Sequence, residues 1–261
     1  MRRDTVDLTL VVPVRNEEHR LPSCLAGVTS VLSALPWTTE VLIVDNASTD
    51  RSVEVAERWR PVAGSHGVAL RVESCPRKGK GAAVRTGMLA AEGSYLGFCD
   101  ADLATDMAAL HPALDLLTAG ANVVVGSRMH PDSRVEVRHS AARQAGAWLF
   151  RRSVARVVPD VGDTQCGFKF FDRATARAVF DPLRTPGFAF DVEILARAAR
   201  LGARIAEIPV LWQDIPGSKF SPLRDGWRSF AAVNAIHRHL AAEVPYRPGS
   251  PVLVANTETG A

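Results

Sequence analysis

The sequence predicts an α/β fold in which a mostly parallel central sheet carries helices on both faces. Three observations predict it: the candidate strands are apolar along their whole length, helical segments separate them, and polar residues follow the strand ends. Parallel strands that are covered on both faces need apolar side chains on both sides and helical crossovers between them. We therefore expect a ligand site at the carboxyl edge of this sheet.

The elements alternate regularly in the first half of the chain. Strands are predicted at 8–14, 40–45, 68–74, 95–100 and 122–128, with helices between them near 17–35, 51–60, 79–91 and 106–119. The second half is less regular, with a helix over 137–157, a strand at 166–171, a helix at 190–200, a strand at 203–212 and a last helix near 222–242. These patterns predict a main domain over 1–221, an amphipathic helix over 222–243 and a disordered tail over 244–261 that is rich in Pro, Gly and Thr.

The composition is that of an ordinary globular protein. The chain has 261 residues, 47% hydrophobic and 23% charged, and a formal net charge of +3. Arginines crowd into 128–156 and 224–238, which favours phosphate-bearing partners over nucleic acid. The four cysteines form no CxxC pair, so we expect buried, reduced thiols and neither a disulfide framework nor a zinc site.

Membrane-targeting signals are absent from the sequence pattern. The apolar stretch "LTLVVPV" is too short for a signal peptide, and no apolar run approaches the roughly 18 residues of a membrane span. We therefore expect a cytoplasmic protein that reaches a membrane, if at all, from its surface.

Acidic and polar groups follow three of the predicted strands. The first, second and fourth strands run into "PVRNEE", "DNASTD" and "DADLATD". Asp50 and Asp106 each precede a helical pattern and are predicted to be helix N-caps. Asp100 and Asp102 lie two residues apart, so an extended backbone aims both carboxylates at one spot. Their repulsion calls for a cation, and a Mg²⁺ or Mn²⁺ ion that also binds a diphosphate fits that chemistry.

The stretch "PRKGKGAAVRTGM" supplies positive charge opposite these carboxylates. Gly79, Lys80 and Gly81 open a helix, so backbone N–H groups, the positive helix end and a lysine are all offered to an anion. The spacing is not that of a Walker A loop, and no G-x-G-x-x-G follows the first strand. A nucleotide diphosphate is thus a better candidate ligand than a dinucleotide cofactor.

The chain resembles the inverting family 2 glycosyltransferases of GT-A fold. The motifs that carry the resemblance occur in order between about residues 8 and 230: "VVPVRNEE", "VDNASTD", "GKGAAVRTGM", "DADLAT", "VVVGSR", "DTQCGFKFF", "GFAFDVEIL" and "GSKFSP". Within the family the chain is most similar to dolichyl-phosphate glucosyltransferases and next to dolichyl-phosphate mannosyltransferases.

The resemblance implies roles for the donor site. It implies contacts to the nucleotide base and ribose from Pro13, Arg15, Glu17 and Asp45. It also implies that Lys80 lies beside the nucleotide, that Asp100 binds the ribose and the metal, and that Asp102 binds the metal. The metal would act as a Lewis acid on the leaving diphosphate. Arg128 is either a further phosphate contact or part of a structural ion pair, since arginine suits both.

The group that activates the acceptor is left open by the sequence. Asp163, Asp191 and Glu193 are candidate bases, with Asp163 first. A lipid monophosphate is largely a dianion at neutral pH and needs no base. In that case Asp163 and Asp191 would orient basic groups that hold the acceptor phosphate, for which the candidates are Arg143, Lys169 and Lys219.

Three functions follow from the sequence as hypotheses. The first is hexose transfer from a nucleotide diphosphate sugar, UDP-glucose before GDP-mannose, to a polyprenyl phosphate. The second is the same donor chemistry on a soluble hydroxyl acceptor, and the third is a non-catalytic module that binds nucleotide sugars. Two departures from the family pattern bear on base preference: Asn46 stands where many relatives have a second aspartate, and Arg15 where an aromatic residue is frequent.

The last predicted helix could bring the chain to a membrane. It would place Leu223, Trp227, Phe230, Ala231 and Asn234 on one stripe, with arginines beside them. Such a stripe either packs on the catalytic domain or lies at an anionic membrane surface.

Overall fold

The computed structural model describes residues 6–136, 149–213, 222–243 and 253–254, with the side chains of the last helix described from residue 231. The first half alternates strands and helices as predicted. Strands β1 to β5 span Leu8–Val14, Thr39–Asp45, Val68–Ser74, Tyr95–Cys99 and Val123–Ser127. Helices α1 to α4 span Leu21–Ser33, Ser52–Ser65, Lys80–Ala90 and Leu110–Thr118, the last of them preceded by a 3₁₀ turn at Met107–Ala109.

The described residues of the second half add five strands and four helical segments. Strands β6 to β10 span Arg134–Glu136, Phe168–Asp172, Ile205–Pro209, Leu211–Gln213 and Leu253–Val254. Residues 149–154 are helical and are called α5. Helices α6 to α8 span Arg173–Phe180, Phe190–Arg200 and Pro222–Glu243. The predicted helix over 137–157 is thus confirmed only for α5, because 137–148 lie outside the described residues.

Within the described ranges the main sheet has eight strands in the order β10-β8-β5-β7-β4-β1-β2-β3. Every pairing in it is parallel except those of β7, which runs antiparallel to both β4 and β5. The mostly parallel sheet predicted from the apolar strands is therefore confirmed. The reversed direction of β7 brings the residues that precede it, 163–167, to the edge where β1, β2, β4 and β5 end.

Helices cover both faces of the sheet and bury a separate apolar cluster on each. One cluster is packed by α3, α6, α7 and α8, and the other by α1, α2 and α4. All four cysteines are buried and free, as the sequence predicts. The core thus holds the sheet rigidly from both sides, which fixes the positions of the strand ends.

Several element boundaries differ from the predicted ones. Helix α2 continues one turn past Pro61, and the buried Ala63 of that turn packs against the sheet. The single strand predicted over 203–212 is two: β8 ends at Pro209, which has no N–H for the ladder, and β9 pairs with β6 in a second sheet. Helix α6 was not predicted; Asp172 caps it by accepting the N–H of Thr175 at 2.8 Å.

The end of the chain departs from the predicted tail at two residues. Leu253 and Val254 pair with β8 as the short edge strand β10, because apolar residues can extend an open sheet edge even within a polar segment. The remainder of 244–261 lies outside the described residues. Among the described helices, none is both long enough and apolar enough to cross a bilayer.

Candidate active site

Hydrogen bonds between side chains and backbone connect the loops after β1 and β2. The N–H of Asn16 donates to Ser48 Oγ at 2.9 Å, and the N–H of Thr49 donates to Asn16 Oδ1 at 2.7 Å. The N–H of Glu17 donates to Ser52 Oγ at 2.8 Å. These bonds make one rigid wall of the two loops that carry the predicted nucleotide-binding residues.

The four residues of that prediction lie along this wall. Pro13 pairs with Val44 in the sheet, while Arg15 is exposed in the loop that follows β1. Glu17 pairs with Arg20 at 3.4 Å. Asp45 is buried, and both of its carboxylate oxygens accept the N–H of Ser48, at 3.2 and 3.3 Å. The structure thus brings these residues to one edge, and their contact with a nucleotide stays a prediction.

In the part of the chain that the structure describes, three residues other than glycine have left-handed backbone, and each lies in a loop that follows a strand of this edge. They are Asn16 after β1, Ala47 after β2 and Leu103 after β4, with φ of 55°, 56° and 49°. Such conformations cost on the order of 1 to 3 kcal/mol each and concentrate at functional sites. The loops are therefore held in a set shape, which agrees with a site at the carboxyl edge of the sheet.

The predicted helix caps have different outcomes. Asp106 caps the 3₁₀ turn, since its side chain accepts the N–H of Ala108 at 2.8 Å, as predicted. Asp50 is not the N-cap of α2, a position held by Arg51. Its carboxylate instead accepts the N–H of Ser52 at 3.0 Å and the N–H of Glu18 at 3.0 Å, so it joins the same pair of loops.

Asp100 pairs directly with Lys80. The Lys80 ammonium lies 2.6 Å from Asp100 Oδ1, across the gap between the start of α3 and the end of β4. Burial alone would lower the pKa of Lys80, but the carboxylates of Asp100 and Asp191 raise it above its ordinary value. The two opposite charges that the sequence predicts to face each other are therefore in contact.

Asp102 is the second carboxylate of this pair. Its Oδ1 accepts the N–H of Ala104 at 3.1 Å. Burial and the neighbouring Asp100 raise the pKa of the Asp102 carboxyl above its ordinary value. The repulsion expected between the two carboxylates is thus present, and a cation placed between them would relieve it.

Asn46 fixes the loop that leads to Lys80. Its side chain is buried, and Nδ2 donates to the carbonyls of Cys75 and Arg77 at 3.2 and 2.8 Å, while Oδ1 accepts the N–H of Gly79 at 2.8 Å. An aspartate could not donate to the two carbonyls at neutral pH. The asparagine is therefore explained by the backbone it holds, and this role was not predicted from the sequence.

The start of α3 is less open to an anion than the sequence predicts. Gly79 has φ of 128°, and a Cβ there would lie 2.2 Å from the carbonyl oxygen of Pro186. The N–H of Ala82 donates to that same oxygen at 3.2 Å. Segment 185–187 therefore covers the first turn of α3 and accepts a hydrogen bond from one of its N–H groups. The Lys80 side chain is thus the main group at this helix start that a phosphate could bind.

Asp163 and Arg128 form a two-pronged ion pair. Arg128 Nε and Nη2 donate to the two carboxylate oxygens at 2.6 and 2.9 Å, and the Arg128 N–H adds a bond of 3.0 Å. Burial alone would raise the pKa of Asp163, but the hydrogen bonds from Arg128 hold it below its ordinary value. The guanidinium also lies 5.5 Å from the ring centroid of Trp212. Of the two roles open to Arg128, the ion pair is confirmed, and a phosphate contact stays a prediction.

Asp191 pairs with Lys169 inside the core. Lys169 is completely buried, and its ammonium lies 2.6 Å from Asp191 Oδ1 and 5.5 Å from the ring centroid of Phe98. Burial raises the pKa of Asp191, and Lys169 opposes that shift. In this structure Lys169 is therefore a buried ion-pair residue, and its contact with an acceptor phosphate stays a prediction.

Glu193 takes part in neither the Asp163–Arg128 pair nor the Asp191–Lys169 pair. Its carboxylate is fully buried and accepts hydrogen bonds from the N–H of Arg184, the N–H and hydroxyl of Thr185, and the Arg197 guanidinium. Hydrogen bonds from Thr185 and Arg197 lower its pKa against the opposing effect of burial. Glu193 thus anchors segment 184–185 to α7, and its surroundings favour a structural role over the predicted catalytic one.

Two further predictions concern Arg143 and Lys219, the remaining candidates for the acceptor phosphate. Both lie outside the described residues. Asp191 holds Lys169, one of the basic groups named from the sequence, whereas Asp163 holds Arg128. That either aspartate orients a basic group toward an acceptor phosphate stays a prediction.

Asp100 and Asp102 are the residues that would hold a divalent cation. No group of three or more His, Cys, Asp or Glu side chains in the described part of the chain could bind a metal ion. A Mg²⁺ or Mn²⁺ ion that binds substrate phosphates needs only one or two protein carboxylates. The neighbouring carboxylates of Asp100 and Asp102, the second with a raised pKa, supply the two ligands that such an ion needs.

Gly167 is a site residue that sequence reasoning missed. A Cβ at this position would lie 2.1 Å from Asp100 Oδ2, so the carboxylate rests against bare backbone. A cleft beside Asp100 is lined by Gly167, Thr105 and Trp212. A glycine directly before a strand is the signal that could have pointed to such a close approach.

The fold and this edge of the sheet define a glycosyltransferase of GT-A fold. Residues 9–180 match glycosyl transferase family 2, and the chain belongs to that family. Among its relatives, dolichyl-phosphate beta-glucosyltransferase of Drosophila melanogaster is 38% identical over 236 residues, which cover 84% of this chain and 70% of that protein. The human protein of the same name is 35% identical over 230 residues, which cover 84% and 71%.

Solved structures share the fold at low sequence identity. Glucosyl-3-phosphoglycerate synthase from Mycobacterium tuberculosis, crystallised with Mn²⁺, UDP and glucosyl-3-phosphoglycerate, superposes with a TM-score of 0.63 at 19% identity, over 90% of this chain and 79% of that one. The same enzyme with Mg²⁺ and UDP gives a TM-score of 0.62. These structures establish the fold, and the GT-A prediction made from the sequence is confirmed.

Proposed function

We propose that the chain transfers glucose, with inversion, from UDP-glucose to the phosphate of a polyprenyl or dolichyl monophosphate. The relatives named dolichyl-phosphate beta-glucosyltransferase support the lipid phosphate as acceptor and glucose as the sugar. UDP is the nucleotide in the crystals of the structural neighbours, which supports UDP-glucose ahead of GDP-mannose as the donor to test first.

The observation that carries the proposal is the pairing of the candidate bases. Of the three, Glu193 is buried and hydrogen-bonded to Thr185 and Arg197. Asp163 accepts two hydrogen bonds from the Arg128 side chain, and Asp191 is paired with Lys169 in the core. A hydroxyl acceptor needs a carboxylate that is free to take its proton. A phosphate monoester is already an oxyanion at neutral pH and needs none. The pairing of both aspartates therefore favours a phosphate acceptor over a soluble hydroxyl acceptor.

In this proposal each group of site residues has a separate role. The wall formed by the loops after β1 and β2 would hold the nucleotide, and Lys80 would reach the diphosphate. A divalent cation bound by Asp100 and Asp102 would supply Lewis-acid stabilisation of the charge on the leaving nucleotide. Asp163 fixes the Arg128 guanidinium at the same edge, where the N–H groups that Asp163 does not use would donate to an acceptor phosphate.

An assay of donor and acceptor tests the proposal. We expect the purified chain to form a glucosyl lipid from UDP-glucose only when dolichyl or undecaprenyl phosphate is present, with GDP-mannose a poorer donor. Dolichol, which lacks the phosphate, is the matched control and should give no product. Transfer to a soluble hydroxyl without lipid phosphate would support the second hypothesis instead. UDP binding without turnover of either nucleotide sugar would point to a binding module.

We also propose that α8 brings the site to a membrane surface. The side chains of Val233, Ile236 and Leu240 are buried against the domain, whereas Ala231 and Asn234 are exposed. The last two belong to the stripe predicted from the sequence, so at these positions the stripe does not face the core. Trp227 and the other members before residue 231 lie outside the described side chains.

Liposome binding tests this proposal. We expect the chain to sediment with vesicles that contain anionic lipid at low salt, and to be released by salt, because lysine and arginine charges near such surfaces contribute about 1 kcal/mol each. Arg224→Glu with Arg228→Glu should weaken binding. Arg58→Glu with Arg60→Glu reverses the same charge on α2, on the opposite face of the sheet, and should not. Sedimentation that is absent at low salt would exclude the membrane surface as a partner.

A further inference from the structure

The contact between Lys80 and Asp100 links two groups that the proposed function assigns to different ligands. Lys80 would bind the donor diphosphate and Asp100 would bind the metal. In the structure the two side chains bind each other, at 2.6 Å. Both are within reach of solvent, with 20% of the Lys80 side chain and 36% of the Asp100 side chain exposed, so neither is sealed off from a ligand.

The position of the Asp100 carboxylate leaves little room for both cations. Gly167 packs against Oδ2 so closely that even a methyl group there would collide with it. The ammonium occupies Oδ1 on the other side. Asp102, two residues on, directs one oxygen to the N–H of Ala104. A metal ion that binds Asp100 therefore has to share or replace the lysine.

Lys80 has other partners once it leaves Asp100. It is anchored at the first residue of α3, whose start is fixed through Gly79 by Asn46 and Pro186, so only the side chain needs to move. The Asp191 carboxylate attracts the ammonium less than Asp100 does, and it is already paired with Lys169. A nucleotide diphosphate at the site would be a stronger partner, because its oxygens are charged and accessible.

We propose that Lys80 occupies the place of the divalent cation on Asp100 and gives it up only when a nucleotide diphosphate offers the lysine a new partner. Metal and nucleotide then bind cooperatively. The diphosphate draws Lys80 away from the place of the metal on Asp100, and a metal on Asp100 releases Lys80 to bind the diphosphate. The inference rests on the proposed function, because it takes the donor to be a nucleotide diphosphate and the metal to lie on Asp100 and Asp102. It goes further in making Lys80 a positioning residue that sets the order of binding.

Mn²⁺ binding measured by electron paramagnetic resonance, with and without UDP, tests the proposal without any turnover. In the wild-type chain we expect UDP to strengthen Mn²⁺ binding by about 5- to 150-fold, the usual range of coupling between two ligands. Lys80→Met should bind Mn²⁺ more tightly than wild type when UDP is absent and should lose most of the gain that UDP brings. Lys80→Arg keeps the positive charge and should behave like wild type without UDP.

Lys78→Met is the matched control, because Lys78 is exposed two residues before Lys80, in the loop that leads to α3. It should leave both Mn²⁺ affinities unchanged. If Lys80→Met and wild type bind Mn²⁺ equally without UDP, the inference is wrong while the proposed function stands. If the wild-type chain binds UDP but no Mn²⁺ in its presence, the metal assignment fails and the inference with it. If it binds neither UDP nor Mn²⁺, the proposed donor itself is wrong. Melting temperatures of all variants establish that each is folded.

Discussion

Asp102→Asn is expected to reduce metal-dependent sugar transfer by at least about 100-fold. Lewis-acid stabilisation by a bound ion amounts to several kcal/mol, and each ~1.4 kcal/mol corresponds to a tenfold change in rate. An asparagine keeps the size of the side chain and can still accept the N–H of Ala104, but it removes the negative charge. The rate of glucosyl lipid formation at saturating Mn²⁺ measures the effect.

The same substitution should leave the protein as stable as wild type or slightly more stable. The pKa of Asp102 is raised in the folded chain, so its charged form is disfavoured there at neutral pH. Asparagine removes that cost, and the melting temperature without metal should not fall. Asp132→Asn, at a half-exposed carboxylate outside the site, is the control and should retain transfer. Full activity of Asp102→Asn, or of the wild type in EDTA, would contradict the assignment of the metal site.

Lys169→Met is expected to destabilise the fold by about 3 to 5 kcal/mol, the cost of leaving one partner of a buried ion pair uncompensated. Asp191 is almost completely buried, and its carboxylate would lose the ammonium at 2.6 Å. Methionine fills a similar volume beside Phe98, so the loss reflects charge more than packing. Urea unfolding monitored by circular dichroism measures the free energy of unfolding.

Two further variants isolate the charge effect. Lys169→Met combined with Asp191→Leu removes both charges and should restore most of the lost stability. Arg58→Met breaks the exposed pair with Glu54 and should change the free energy of unfolding by less than about 1 kcal/mol. A loss below about 1 kcal/mol for Lys169→Met alone would mean that Asp191 is not charged in the folded protein.

The sequence predicts the first half of the fold well because one physical pattern governs it. Strands β1 and β4 are buried almost along their whole length, β2 and β5 are buried throughout, and of these five only the edge strand β3 has exposed residues. The polar groups that follow the strands are therefore assigned to one edge by the order of strands and helices alone. Asp100, Asp102 and Lys80 meet there as expected.

The direction of β7 could not be predicted in the same way. A strand pattern gives the alternation of side chains but not the neighbours or the direction of the strand. Only the antiparallel placement brings Asp163 to Arg128 and turns Lys169 inward to Asp191. For this reason the sequence grouped Lys169 with the acceptor-binding residues, although in the folded chain it is a core residue.

The contacts of Glu193 and Asn46 were unpredictable for a related reason. Each side chain satisfies backbone groups of a distant loop, Arg184 and Thr185 in one case and Cys75, Arg77 and Gly79 in the other. Which backbone groups lack a partner depends on how the loops pack, and no local pattern records that.

The insertion of β7 between β4 and β5 also constrains how the chain can fold during synthesis. On a ribosome, β5 emerges with neither of its sheet neighbours yet made, since both β7 and β8 follow it in the chain. The edge of β4 stays open for the same interval. A nascent chain that ends before Phe168 can assemble β1 to β4, but β5 must wait as an unpaired apolar segment, the kind of exposed strand that chaperones shield. The part of this edge that Arg128 and Asp163 form is thus completed only after β7 has been made.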